Sequence, residues 1–325
     1  MSANTPPMRY RNLGNSGVQV SAIGLGGNTF GRACNAAQTE RIVHHALDIG
    51  INHFDCADTY GGGGLSEELL GRALRDYRYD AIVATKTGYP FDPGPHGEGL
   101  ARRRIMAMCN ESLQRLGMDH IDIYYLHRPD PHTPIEASLR ALDDLIRAGK
   151  VRYAGVSNYP GWEIARITER SHARGWDAPI VSQSHFSMLS RSVAQDITPA
   201  LQAYEMGFIP FSPLAGGLLT GKYRNGDAPA GTRAHGNARF ERLLQPDVLA
   251  VIGQLEQFAD DNGWTLTELA LGWLLHQPQV SSVIAGVTSP AQVDANAGAA
   301  RVELTTVQLA QIDTIVAGLP AGLDL

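Results

Sequence analysis

Short apolar runs alternate along the chain with longer stretches in which apolar residues recur at helical spacing. The run "VSAIGLG" at 20–26 precedes "QTERIVHHALDIG", where Ile42, Val43, Ala46, Leu47 and Ile49 mark one helix face and Gly50 supplies a stop. "NHFD" at 52–55 reads as the next strand. Past the glycines at 61–64, "SEELLGRAL" reads as a helix with Ser66 as its N-cap, and "AIVATK" as the strand that follows. Strand "IDIYYLH" then leads to helix "PIEASLRALDDLIRAG", strand "YAGVS" to helix "GWEIARITERSHARG", and strand "IVSQ" to helix "DITPALQAYEMG". Strand "FIPFS" is followed by a long stretch, 212–246, and by the helices "VLAVIGQLEQFADDNG" and "TLTELALGWLLHQ"; the last pair is "SVIAG" and "PAQVDANAG".

Eight strands, each followed by helical sequence, predict an α/β fold of the (β/α)8 TIM barrel type rather than segregated runs of strands and helices. No linker composition divides the chain, so residues 1–325 are expected to form one barrel domain. Two further runs, "MRYRNL" and "VQVS", flank the turn-forming "GNSG" and predict an N-terminal β-hairpin that closes the barrel floor. Residues 1–7 read as a loose arm, with neither the basic nor the apolar region of a signal peptide.

Charge narrows the partners. With 27 basic and 33 acidic residues, net −6, the chain offers no broad cationic field for nucleic acid or a membrane surface, so a small-molecule partner is expected. Cys34, Cys56 and Cys109 form no CxxC pair and read as packing residues of a reduced, cytoplasmic protein. The longest uncharged stretch, 206–221, is interrupted by Pro210 and Pro213 and falls short of the roughly 20 residues that a membrane span needs. No membrane insertion is expected.

In such a barrel, function gathers at the C-terminal ends of the strands. Asp55 ends the second barrel strand, Tyr60 follows in its loop, Lys86 ends the third strand and His127 the fourth. Consecutive strands bring these four to one mouth. An acid, a phenol, an amine and an imidazole suit proton donation to a carbonyl oxygen: Tyr60 as general acid, Lys86 as the cation that stabilises its anion, Asp55 holding the ammonium, and His127 orienting the substrate oxygen. Asp58 competes with Asp55 for the acid role but stands in the loop. The glycines Gly61 to Gly64 precede a helix and admit two readings, a phosphate cradle or a turn that lets Tyr60 point back into the mouth; the turn is the simpler. "GLGGNTFG" at 24–31 misses GxGxxG because Thr29 stands at its last position. His44 and His45 are adjacent and point apart, there is no HExxH and no GxSxG, and no metal site is expected.

The segments "FDCADTYGGGGLSEELLGRAL", "HRPD", "GKVRYAGVSNY" and "FSPLAGGLLTGKY" closely resemble the aldo-keto reductases, NAD(P)H-dependent carbonyl reductases on a (β/α)8 barrel. The likeness runs from "LGNSGVQVSAIGLGG" to "SVIAGVTSPAQVDAN". It is greatest to the branch with bacterial reductases, aryl-alcohol dehydrogenases and potassium-channel β-subunits. The resemblance implies a catalytic tetrad of Asp55, Tyr60, Lys86 and His127. It implies cofactor contacts from Gly27 and Asn28, carboxamide contacts from Ser157, Asn158 and Gln183, and ring stacking on Phe211. Ser212, Pro213, Leu214, Ala215 and Gly216 are similar to the segment along the pyrophosphate, and Gly286, Thr288, Gln292 and Asn296 to the adenosine end.

Gly286 and Gln292 stand where many relatives carry a lysine and an arginine for the 2′-phosphate. Lys222 and Arg233 match the pair that the channel-subunit branch uses instead, so NADPH is expected, with NADH the alternative. Residues 223–246 read as a lid over the dinucleotide, and Phe30, Tyr89, Phe91 and Phe186 as walls of the substrate pocket. The implied function is reduction of an aldehyde or ketone to an alcohol. The alternative is an NADPH-binding, redox-sensing regulatory subunit of a membrane protein. His127 speaks against that alternative, since the channel subunits carry asparagine there. The resemblance also allows a homo-oligomer.

Overall fold

A computed structural model describes residues 8–224, 226–228, 235, 240 and 243–320 of the chain. Eight parallel strands form one sheet in chain order: β3 (Ile23–Gly26), β4 (His53–Asp55), β5 (Ile82–Thr87), β6 (Ile121–Leu126), β7 (Val151–Ser157), β8 (Val181–His185), β9 (Gly207–Phe211) and β10 (Val283–Gly286). β10 pairs with β3 at one side, and a bridge between Phe208 and Val280 joins the two ends of the sheet. There the Phe208 N–H donates to Gln279 O at 2.7 Å and the Ser281 N–H to Phe208 O at 2.9 Å. The expected (β/α)8 barrel is the observed one.

The strands read as continuous apolar runs because both faces are covered. One set of alternate residues meets the surrounding helices: α1 (Ala36–Asp48), α2 (Leu65–Ala73), α3 (Arg102–Leu116), α4 (Ile135–Arg147), α5 (Gly161–His172), α6 (Val193–Ala203), α7 (Pro246–Asp261), α8 (Leu266–Leu275), α9 (Pro290–Ala297) and α10 (Thr306–Val316). The other set fills the barrel, where Ala84, Ile123, Tyr125, Val181, Ile209 and Ile284 pack together. Tyr125 has room for its ring because Gly155 lies opposite; a Cβ there would stand 2.5 Å from Tyr125 Cδ1. No helix among the described residues is long and apolar enough to cross a membrane.

The N-terminal hairpin forms as expected, with β1 (Tyr10–Asn12) antiparallel to β2 (Gln19–Ser21). Leu13 and Val20, both fully buried, join the barrel-filling cluster from below. Arg11 Nη1 donates to Val280 O at 2.7 Å and the Asn15 N–H to Glu205 O at 2.9 Å, both acceptors just ahead of a barrel strand. The hairpin therefore plugs the floor and leaves the opposite mouth open.

Two local expectations differ. The helix Arg102–Leu116 follows β5 but was not among the segments delimited by periodicity; its start carries three consecutive arginines. Ser66 does not cap the helix after the glycines. Gly64, left-handed at φ 84°, is the N-cap, and the Ser66 hydroxyl donates instead to Gly27 O at 2.8 Å.

Candidate active site

On several strands the inward-facing residues change from apolar to polar at the open end: Ala84 gives way to Lys86, Val181 to Gln183, and Gly155 to Ser157. Period two thus aims the polar groups into the mouth. Asp55 is paired with Ala84 across β4 and β5, one pleat below Lys86. Lys86 Nζ donates to Asp55 Oδ2 at 2.6 Å and to Cys56 O at 2.7 Å. Lys86 is 0% exposed and Asp55 2%. Gln183 Nε2 donates to the other carboxylate oxygen, Asp55 Oδ1, at 2.8 Å.

Tyr60 and His127 stand over this pair. Lys86 Nζ lies 5.0 Å from the Tyr60 ring centroid, and the Tyr60 and His127 rings meet edge to face at 5.9 Å. The four residues read from the strand ends therefore converge. Asp55, Tyr60 and His127 line one cavity of about 900 Å³, while Lys86 sits behind them.

Burial governs the electrostatics. Burial pushes the Tyr60 hydroxyl above its ordinary value, although Lys86 pulls the other way. Burial opposes the charge on Lys86, yet Asp55 and Tyr60 together outweigh it and hold the ammonium above its ordinary range. His127 is driven down to about 2 by burial and by the nearby cations Lys86 and Arg128, so its imidazole is neutral at working pH.

Beyond Tyr60 the cavity runs across the mouth as a groove. Asn28, Ser157, Asn158, Gln183 and Phe211 line it, as do Ser212, Pro213, Leu214 and Gly216 of the segment after β9. Lys222, Gly286, Thr288, Gln292 and Asn296 line its far end. Gly27 and Ala215 do not line it, and Arg233 lies outside the described residues, as does most of the segment 223–246 read as a lid. One described residue of that segment, Phe240, places its ring where a side chain on Gly216 would go.

The groove is lined by residues in the left-handed region, Asn158 (φ 63°) and Ser212 (φ 53°) beside Gly216 (φ 67°) and Gly217 (φ 101°), and Ala215 (φ 48°) stands in the same segment without lining it. Such non-glycine conformations cost on the order of 1 kcal/mol or more each and gather where a site demands them. Within the segment after β9 the Ala215 N–H donates to Ser212 O at 3.0 Å and the Gly217 N–H to Leu214 O at 2.8 Å, which holds these turns in place beside the groove. Gly61 to Gly64, all with positive φ, do not line it, and so act as the turn that brings Tyr60 back to the mouth.

Of the four aromatics read as pocket walls, only Tyr89 opens on the cavity. It packs edge-on to His127 at 4.5 Å with the Arg128 guanidinium 4.6 Å over its face. Phe30 and Phe186 are buried in the core, and Phe91 lies against the Arg115 guanidinium at 5.2 Å. Sequence reasoning missed Arg32 and Thr220, which also line the groove. Arg32 follows "GLGGNTFG" in the loop after the first barrel strand, so the rule that flagged the tetrad would have reached it.

Known proteins carry the same pattern. Residues 22–317 match the sequence profile of the aldo/keto reductase family. L-glyceraldehyde 3-phosphate reductase of Escherichia coli K12 is 37% identical over 325 residues, covering 95% of this chain and 93% of its own. A probable voltage-gated potassium channel subunit beta of Arabidopsis thaliana is 36% identical, covering 96% and 98%, and the uncharacterized oxidoreductase YrpG of Bacillus subtilis is 33% identical, covering 97% and 98%. A barrel alone hosts many chemistries, but a profile match over nearly the whole chain goes further than the fold: the chain belongs to the aldo/keto reductase family.

Proposed function

We propose that the protein reduces an aldehyde or ketone to an alcohol with NADPH, Tyr60 acting as the general acid. The observation that carries this reading is the enclosed ammonium of Lys86, fixed by Asp55 at 2.6 Å and standing 5.0 Å from the Tyr60 ring at the end of a long groove. When bound there, a reduced nicotinamide supplies the hydride that reaches the carbonyl carbon.

The residues supply the rest. With its acidity suppressed by burial, the Tyr60 hydroxyl keeps its proton near neutral pH and has it ready for the substrate oxygen. The phenolate left behind lies beside a cation that has no water to screen it, so its cost is lowered where the charge develops. Neutral His127 is a hydrogen-bonding group beside the same oxygen and Tyr89 walls the site; Ser157, Asn158 and Gln183 hold the carboxamide, with Phe211 as the stacking surface. Gln183 also braces Asp55, so cofactor and tetrad share one side chain.

Lys222 lines the groove and is the residue matched to the 2′-phosphate, which NADPH has and NADH lacks; a charge-assisted contact there supports NADPH over NADH. The relative named for L-glyceraldehyde 3-phosphate places that compound in the test set. Nucleotide absorbance followed after mixing the protein with NADPH or NADH and aromatic aldehydes, methylglyoxal, diketones, ketosteroids or L-glyceraldehyde 3-phosphate tests the reading. Oxidation of NADPH with at least one carbonyl is the expected result. Likeness to a probable potassium channel subunit favours a second reading, an NADPH-binding regulatory subunit; tight NADPH binding without turnover on any carbonyl would select it.

A further inference from the structure

Lys222 lines the groove, yet its ammonium makes no hydrogen bond or ion pair among the described residues. Its neighbours are Gly217, where an added Cβ would stand 2.5 Å from Lys222 Nζ, and the buried Tyr223 ring, whose centroid is 5.1 Å away. A flexible four-carbon stem is not fixed by such contacts. The place of its charge depends on the backbone that carries it.

That backbone is a tight turn. The Thr220 hydroxyl donates to Gly217 O at 2.7 Å at the end of the 3-10 segment Ala215–Thr220, and Gly221 then enters the left-handed region at φ 76°. Tyr223 packs in the core. Arg224 reaches across to α7, where its Nε donates to both carboxylate oxygens of Glu256 at 2.8 Å and its Nη2 donates to Oε1 as well. Among the described residues this is the only ion pair of the segment 212–224.

The same carboxylate stands against the start of the turn. A Cβ added to Gly221 would lie 3.0 Å from Glu256 Oε1 and 3.4 Å from Arg224 Nη2. Gly221 and Arg224 therefore both rest on Glu256, with Lys222 on the chain between them. Glu256 is only 14% exposed, on a helix anchored in the core by Val248, Val251, Ile252, Leu255 and Ala259. Neither Arg224 nor Glu256 lines the cavity. A pair open to solvent on the arginine side adds little to overall stability, so its effect lies in where it holds the turn.

We propose that Glu256 is a positioning residue for cofactor choice: by clamping Arg224 and seating against Gly221 it fixes the turn that presents Lys222, and so supports recognition of the 2′-phosphate of NADPH from outside the groove. This rests on the reading of Lys222 as the 2′-phosphate partner.

The sign of the effect separates a clamp from plain electrostatics. Were Glu256 felt only as a charge, Glu256→Gln would remove an anion and free a guanidinium, and a phosphate would bind as well or better. Loss of a clamp weakens NADPH instead. Equilibrium titrations of the full chain with NADPH and with NADH, followed by nucleotide fluorescence, give both affinities for the wild type, Glu256→Gln, Lys222→Ala and the double variant. Glu256→Gln should weaken NADPH about fivefold and NADH by less than about twofold, and should add nothing on the Lys222→Ala background. Unchanged or tighter NADPH binding in Glu256→Gln overturns the proposal. So does an equal loss for both nucleotides, which marks a general disturbance of the fold, or a loss for NADPH that persists on the Lys222→Ala background. The reading of Lys222 is judged by its own variant: if Lys222→Ala weakens both nucleotides alike, or neither, that reading falls and the proposal with it.

Discussion

Replacing Lys86 with methionine keeps most of the side-chain volume and removes the charge. Asp55, 2% exposed, then loses the partner at 2.6 Å and keeps only the Gln183 amide at 2.8 Å. A buried carboxylate stripped of its cation costs about 3–5 kcal/mol. Asp55 can escape part of this by taking up a proton, and the cost of doing so caps the loss. From an ordinary value of about 3.9 to pH 7 the cap is roughly 4 kcal/mol, at about 1.4 kcal/mol per pH unit.

The sign follows from the raised acid: a proton bound more tightly by the folded variant stabilises it at low pH, and that contribution is lost as pH rises. Lys86→Met should therefore be destabilised by about 4 kcal/mol at about pH 7 and by only about 1.5 kcal/mol at about pH 5. Urea unfolding followed by the fluorescence of the four tryptophans measures both values. Lys86→Met/Asp55→Asn, which leaves no charge to strand, should recover most of the loss at the higher pH. A loss that is the same at both pH values, or a double variant no better than the single one, would refute the reasoning.

Two further outcomes follow from the fold and the groove. Leu13, fully buried under the barrel, should cost about 2–5 kcal/mol as Leu13→Ala, seen as a lowered urea midpoint with an unchanged slope. Lys222→Ala should weaken NADPH binding about tenfold and leave NADH binding within about twofold in equilibrium titrations, the loss of one charge-assisted phosphate contact being worth about 1.4 kcal/mol.

The barrel was legible because strands covered on both faces read as unbroken apolar runs, and the tetrad because the strand-end rule needs only the order of the strands. What escaped was set by contacts distant in the chain. Helix Arg102–Leu116 carries a buried seam of Ile105, Met108, Cys109 and Leu116, but Arg104 also turns inward, to the carbonyls of Tyr89 and His96, and interrupts its apolar face. Ser66 looked like a cap because serines favour that place; its hydroxyl answers instead to a carbonyl 39 residues earlier. Asp58 read as a loop residue competing with Asp55 for the acid role, since nothing in "CADTY" indicates that it is fully buried. The bond from Gln183 to Asp55 joins residues 128 apart and could come only from the barrel's closure.

The central claim, that Tyr60 protonates the carbonyl oxygen in an NADPH-dependent reduction, is tested most directly by Tyr60→Phe. Single-turnover oxidation of NADPH is followed with the best carbonyl substrate, beside the equilibrium affinity for NADPH. The account predicts a fall in rate of about 10² to 10⁴ with NADPH binding unchanged, because the ring and its place over Lys86 remain and only the proton is lost. A rate within about threefold of the wild type, with NADPH still bound, contradicts it.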